Sequence, residues 1–399
     1  MTWQVKPLGE ICEFQRGLTY AKGDEVAESD NVVLRANNID LATNHLDLSD
    51  LRHIRQEIAI PNAKRVRKGS LIICTASGSK SHLGKVALID DDYGYAFGGF
   101  MGQITPKPGL SSKYLFHLMT SDLYKDFISG LSDGANINNL KFDDLGRFGV
   151  PFPSEEEQHR IVVLLDEAFA CIATAKANAE KNLQRARTVF EGMLRTVFEA
   201  ADEHSRVDEL FDVGSSRRVL KSEWKSDGVP FYRGREVTRL ALEGSVDNEL
   251  FISEDHFADL AAKNGVPTAG DIVITAIGTI GNAHIVREND RFYFKDASVL
   301  WMRRTSDVSS EYVKYWIRSA AFHDQLDRGN GATVDTLTIG KLESLMIPSR
   351  SVGAQKAAVE KLARVEQEIV KLESLYTRKV AALDELKQSL LQRAFSGQL

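Results

Sequence analysis

The stretch Gln158–Phe198, QHRIVVLLDEAFACIATAKANAEKNLQRARTVFEGMLRTVF, decides how this chain is built. Apolar residues recur at Ile161, Leu165, Ala168, Ile172, Ala175 and Ala179, spaced alternately by four and three. The stripe blurs at Asn182 and resumes through Leu183, Ala186, Phe190, Met193 and Val197. This spacing predicts a long helix with one apolar seam, as in coiled coils. No proline or glycine interrupts it before Gly192. With a rise of about 1.5 Å per residue it would span roughly 60 Å. A helix of that kind needs a partner to cover its seam.

A second such run closes the chain. Gln355–Phe395 reads QKAAVEKLARVEQEIVKLESLYTRKVAALDELKQSLLQRAF, with apolar residues at Val359, Leu362, Val365, Ile369, Leu372, Tyr376, Val380, Leu383, Leu386 and Leu390. At one constant offset, Gln158 falls on Gln355, Met193-Leu194 on Leu390-Leu391 and Phe198 on Phe395. Two equal helices, each ending one half of a repeated chain, pair most simply with each other. The long polypeptide between them favours an antiparallel pair, although sequence alone does not set direction. The residues expected to pack between them are Ile161, Leu165, Ala168, Ile172, Leu183, Met193, Val359, Leu362, Ile369, Leu372, Leu383 and Leu390.

The globular parts repeat as well. Leu8-Gly-Glu-Ile11 is matched by Val207-Asp-Glu-Leu210, and both read as short helices or turns. Val32–Leu34 leading to Arg35 is matched by Val229–Tyr232 leading to Arg233. The β-prone run Leu71–Cys74, a glycine- and hydroxyl-rich loop and a second strand from Val86 are matched by Ile272–Thr275, Gly278-Thr-Ile-Gly281-Asn282 and a strand to Val286. A helix beginning at Ser111-Ser112 is matched by one beginning at Ser309-Ser310, with a serine placed to cap it. Polar loops follow at Gly134–Leu140 and Gly331–Leu337, and each half closes at a proline, Pro151 or Pro348. The polar loops of the two halves are unlike, as in Arg16–Lys22 against Ser215–Lys221. Duplication with drift is one reading; related tasks on two different targets is the other.

Composition narrows the class. The apolar fraction of 43% suits globular cores, and no run spans a bilayer. The N-terminal residues lack a secretory apolar region, and the three cysteines have no metal-ligand spacing, so a cytoplasmic protein is expected. The net charge of −6 argues mildly against a chain that only grips nucleic acid, but local clusters matter more. Gly78–Val86 has one residue too many between its glycines for a phosphate-binding loop, and Val86 stands where that loop needs a hydroxyl. Gly98-Gly-Phe100-Met-Gly102 reads as strand and turn rather than a dinucleotide site. The nine histidines are scattered, and His82 and His284 stand singly beside the glycine-rich loops. No catalytic constellation is visible, and no metal or cofactor is expected in this chain.

What remains is a recognition surface. Arginine and asparagine suit bidentate contacts with guanine and adenine; lysines and hydroxyls suit phosphates. The candidates in the first half are Arg16, Lys22, Arg35, Asn37, Asn38, Lys68, Ser77, Ser79, Lys80 and Lys85. Those in the second are Arg217, Arg218, Lys221, Arg233, Arg235, Thr279, Asn282 and Arg303. A structural ion pair is the competing reading for Arg35 and Arg233. The acidic triple Asp90–Asp92 is expected to face away from DNA or to lie at an edge turn.

The doubled order of Leu8–Ile11, Gly278–Asn282, Ile137–Leu140, Phe148–Pro153, Glu157-Gln158 and Leu390–Phe395 resembles the specificity subunit of type I restriction–modification systems. The resemblance covers essentially the whole chain. It implies an α/β (mixed α+β) fold of two target-recognition domains, joined by two long antiparallel coiled-coil-like helices with pseudo-two-fold symmetry. The expected divisions are residues 1–153, 154–203, 204–350 and 351–399. It further implies a non-catalytic chain that reads a bipartite, asymmetric site in double-stranded DNA. Two modification subunits, carrying S-adenosylmethionine, would methylate adenine at N6. Two restriction subunits would add ATP- and Mg-dependent translocation and cleavage. A stand-alone two-headed DNA-binding or scaffolding protein is the alternative. Two departures stand out: Glu155–Glu157 opens the first helix where Val352-Gly-Ala354 opens the second, and Ser396-Gly397 ends the second where the first runs into a new domain.

Overall fold

A computed structural model of the protein describes residues 3–79, 82–132, 139–199, 203–326 and 336–399. The expected loops at Gly134–Leu140 and Gly331–Leu337 fall largely outside those residues. Two mixed α/β domains are connected by two long helices, Glu155–Glu199 and Val352–Phe395. The chain divides into two compact units, Met1–Ala179 with Thr377–Leu399, and Glu180–Tyr376. Each unit thus holds one globular body and part of both helices.

In the first unit the run Leu71–Cys74 is buried at every position, as an apolar strand inside a sheet covered on both faces should be. Its antiparallel sheet runs in the order Cys12–Arg16, Met101–Pro106, Leu71–Cys74, Val86–Leu88. A second sheet pairs Val32–Leu34 in parallel with Ala96–Phe97 and carries Arg52–Ile54 and Glu25–Val26 on its other side. The second unit repeats the first sheet as Phe211–Gly214, Val299–Arg304, Ile272–Thr275, Ala283–Ile285. Its second sheet again has a parallel pair, Val229–Tyr232 with Tyr293–Phe294. The second sheets differ in strand number, four against three, and the units diverge after the matched arginines. Arg35 leads into a single 3₁₀ turn, Ala36–Asn38, whereas Arg233 leads into a full helix, Gly234–Glu243.

The junction of body and helix is built alike in both units. Ser111 caps the helix Ser112–Leu118 and Ser309 caps Ser310–Ile317, each accepting from the amide three residues on. The buried amide of Gln158 accepts from the Ser111 N–H (2.8 Å) and donates to the carbonyls of Gly109 (2.9 Å) and Pro153 (3.1 Å). Gln355 accepts from the Ser309 N–H (2.8 Å) and donates to the Arg350 carbonyl (2.8 Å). Tyr114 and Tyr312 donate to the carbonyls of Pro151 and Pro348, at 2.9 and 3.1 Å. These bonds satisfy backbone groups that burial would otherwise leave costly. They explain why the glutamines, serines and tyrosines return at matched positions.

The long helices are antiparallel within each unit. In the first, Arg160 near the start of one helix donates to the carbonyl of Leu399 beyond the end of the other (2.7 Å), and Lys176 pairs with Asp384. In the second, Arg187 pairs with Glu373 (2.7 Å) and Arg350 donates to the Val197 carbonyl (2.8 Å). All twelve residues expected in the seam are buried or half-buried. Leu386, read as part of the same stripe, is 47% exposed. The seam does more than join helix to helix. Leu391, Ala394 and Phe395 enter the core of the first unit beside Ile161 and Leu165, and Phe395 meets the Tyr114 ring edge-on at 5.3 Å. Phe190, Leu194 and Phe198 enter the core of the second, where Phe198 packs on Tyr312 at 5.0 Å. Each core is completed by the end of the helix that follows the other body.

Truncating either aromatic leaves a cavity in a packed core. Phe395→Ala and Phe198→Ala are each expected to cost about 3–5 kcal/mol. Urea unfolding of the full chain checks this. Val163→Ala, at a residue 39% exposed, should shift the midpoint far less.

Candidate nucleic-acid interface

In the first unit the segments after Arg16, after Leu34 and before Met101 meet at one end of the strands. They enclose an open cleft of about 530 Å³ lined by Thr19, Tyr20, Lys22, Arg35, Asn37 and Phe100, among others. Gly17 and Gly98 pack backbone to backbone here, where a Cβ on Gly17 would overlap the Gly98 carbonyl. Of the predicted contacts, Lys22, Arg35 and Asn37 come together in this cleft. Arg16 is exposed, with its guanidinium 5.6 Å from the centre of the Phe142 ring. Among the described residues neither Arg16 nor Lys22 has an ion pair, so no carboxylate neutralises either charge. Arg35 pairs with Asp50 at 3.0 Å, the competing reading for that residue.

Three predicted contacts of this half are taken up by the fold itself. Asn38 is 1% exposed; it accepts from the Arg35 N–H (2.8 Å) and donates to the carbonyls of Asp47 (2.8 Å) and Asp50 (3.0 Å). No polar edge of it is left for a base, so Asn38 is a turn residue rather than a reader. Lys85 donates to the Ile39 carbonyl at 2.9 Å, and burial lowers its pKa. It is a tether for the loop. Lys68 sits beside the acidic triple, with its N–H bonded to Asp92 (3.0 Å) and its ammonium 3.9 Å from Asp91. Those carboxylates oppose a phosphate there. Ser77 is half-buried and accepts from the Ser79 N–H, while Ser79 is exposed. Lys80 lies outside the described residues.

In the second unit Arg217, Arg218 and Lys221 are exposed and without ion pairs among the described residues. Arg233 and Arg235 are not free. Arg233 bonds both oxygens of the buried Glu236, at 2.8 and 3.1 Å, and Arg235 bridges Glu236 and Glu249. Burial of Glu236 opposes its charge, but the hydrogen bonds from the two arginines outweigh it and hold the carboxyl down at about 2. Arg303 stacks over Trp301 at 4.3 Å and pairs with Asp212 at 3.2 Å. Thr279 is exposed on the glycine-rich loop. Asn282 donates to the Thr238 hydroxyl at 3.1 Å and lines a cleft of about 640 Å³ with Lys314, Arg318 and His323. His284 is buried against Asp290 at 2.7 Å, a structural pair.

The glycines of the two loops have a steric cause. Gly84 and Gly281 have φ of +78° and +98°, a backbone region that favours glycine, and a Cβ on Gly84 would also press on Ile128. The loop thereby seats on the neighbouring helix. Two groups escaped the sequence reading. Lys314 is half-buried in the second cleft, its pKa lowered by burial and then by Arg318. Phe100 is 73% exposed, and its signal was a large apolar residue directly after Gly98-Gly99, in a segment read as strand and turn.

Among the described residues no group of three or more histidine, cysteine or acidic side chains could hold a metal ion, and no helix is long and apolar enough to cross a membrane. The clefts offer open rims, hydrogen-bonding edges and cations. Two such rims on duplicated domains define a recognition protein.

The model of the type I restriction modification DNA specificity domain matches residues 1–185 and again 202–378. The chain belongs to this family: it is a type I restriction–modification specificity subunit, the non-catalytic, DNA-recognising component. It is 25% identical to the EcoKI specificity subunit of Escherichia coli K12 over 430 residues, covering 100% of this chain and 89% of that one. It is 26% identical to the StySPI specificity subunit of Salmonella potsdam over 426 residues, with the same shares of 100% and 89%. A solved chain from work on complex assembly and conformational transition of the type I R-M system superposes with a TM-score of 0.79 at 18% identity, covering 100% and 98% of the two chains. The HsdS subunit from Thermoanaerobacter tengcongensis gives 0.61 at 18% identity, covering 100% and 97%. At these identities the superpositions show the shared fold.

The arginine clamp on Glu236 gives a pH prediction. Its folded pKa lies below the ordinary value of 4.5, so its contribution is complete above that value and is lost as pH falls toward about 2. Glu236→Gln is expected to cost about 1–3 kcal/mol at pH 7. Denaturant curves of wild type and variant should be well separated at pH 7 and draw together as pH falls toward 2.

Proposed function

We infer that this chain reads a bipartite, asymmetric site in double-stranded DNA, one half through each globular body. The observation that carries this reading is a shared backbone scaffold with unlike polar rims. At one matched place Arg35 leads into a 3₁₀ turn with Asn37 exposed; at the other Arg233 leads into a helix and is locked, with Arg235, on Glu236. Arg16, Lys22, Arg35, Asn37, Ser77 and Ser79 are the proposed contacts of residues 1–153. Arg217, Arg218, Lys221, Thr279 and Asn282 are those of residues 204–350. The free lysines and arginines supply charge to phosphates and therefore a salt-dependent affinity.

The long helices are the proposed seat of two modification subunits. Apolar side chains left exposed along them support this, with Val163, Leu164, Val189, Val370 and Leu375 between 39% and 60% exposed. Those partners would hold S-adenosylmethionine and methylate one adenine at N6 in each half-site, after flipping it from the duplex. Two restriction subunits, using ATP and Mg, would complete the assembly in the cytoplasm. This chain would contribute address and geometry, and no bond-making group.

Adenine-methylation mapping tests the reading, in cells expressing this chain with its modification subunit and in cells lacking this chain. A two-part asymmetric motif should appear only with the chain. Exchanging residues 1–150 for those of another family member should change one half of the motif and leave the other. If no motif depends on the chain while the partner is active, the reading fails. Arg16→Ala and Lys22→Ala should each weaken binding of the assembled complex across sequences and lower the slope of log affinity against log salt by about one.

A further inference from the structure

Phe100 is a large apolar side chain held out to solvent on a fixed backbone. Its carbonyl accepts from the N–H of Thr75 (2.9 Å), the hydroxyl of Thr75 (3.0 Å) and the N–H of Ala76 (3.2 Å). The turn before it is braced by glycines: a Cβ on Gly99 would crowd the Thr19 hydroxyl at 3.1 Å, and Gly98 abuts Gly17. The side chain itself remains 73% exposed. The matched position of the second unit keeps the backbone bond, from the Ala276 N–H to the Ser298 carbonyl at 2.9 Å, but carries a serine. The scaffold therefore does not need an aromatic there. Phe100 lines the same cleft as Lys22, Arg35 and Asn37.

An exposed ring next to cations and an asparagine suits one kind of occupant. The polar groups fit phosphates and base edges, and an apolar side chain among them fits the face of a base. A ring on a mobile loop would lose conformational freedom on insertion, whereas this backbone is already fixed. We propose that Phe100 is a specificity-determining wedge: it enters the half-site read by the first body and unstacks one base step there. The second body, with Ser298 at that place, has no such wedge. Steps that unstack easily would be favoured at this position of the first half-site, because deformation cost depends on sequence. The inference rests on the reading of the chain as a two-part DNA reader.

The test uses the complex of this chain with its modification subunits and duplexes bearing the mapped site. 2-Aminopurine is placed singly along each half, avoiding the methylated adenine that the partner would flip. The wild-type complex should raise its fluorescence at one step of the first half and at none of the second. Phe100→Ala should abolish that rise and weaken binding roughly ten- to a hundredfold, the range of one base–aromatic contact. Phe100→Trp should restore both. Thermal melting of both variants should match wild type, since the side chain is exposed. A rise that persists in Phe100→Ala, or an unchanged affinity, overturns the wedge and leaves the two-part reading standing. If scrambling the first half of the duplex leaves wild-type affinity unchanged, the two-part reading fails, and the wedge with it.

Discussion

An apolar seam on a helix of more than forty residues cannot be buried by the helix itself, and everything else in this protein follows from how that seam is covered. The two helices cover each other in the antiparallel sense, and their last turns go further. Phe395 closes the core around Tyr114, and Phe198 closes the core around Tyr312. Neither globular body has a complete core without residues from the other half of the sequence. Folding of each unit is thus tied to helix pairing. The matched glutamine clasps, Gln158 and Gln355, fix where each helix leaves its body.

On this base the two bodies share their hydrogen bonds and differ in their rims. The antiparallel sheets have the same strand order, and the same serines, tyrosines and glycines hold the joints. Those residues answer backbone demands that any target would leave unchanged. The rim residues answer to whatever is bound. A 3₁₀ turn beside Arg35 and a helix beside Arg233 present different surfaces from one scaffold. Such a division suits a specificity subunit, whose task is to give its partners an address.

Much of this was legible in the sequence, and the limits have physical causes. Helix seams are written in local periodicity and the central strands Leu71–Cys74 and Ile272–Thr275 in runs of β-prone residues, so all four could be read directly. The twofold repeat and the family follow from the order of short motifs. The rim was legible only as a set of residue types. Asn38 and Asn37 are neighbours of the same type, yet one is spent on the carbonyls of Asp47 and Asp50 and the other faces solvent. Arg233 and Arg235 were readable as cations; their lock on Glu236 was not.

The sequence by itself determined the two long amphipathic helices, the duplicated α/β bodies and the membership of the specificity family, because periodicity and motif order survive without any knowledge of contacts. The tertiary structure decided which helix end completes which core, which polar side chains remain free, and that Phe100 stands exposed in the cleft. Those outcomes depend on hydrogen-bond partners and packing neighbours brought in from distant segments, and no local pattern records them.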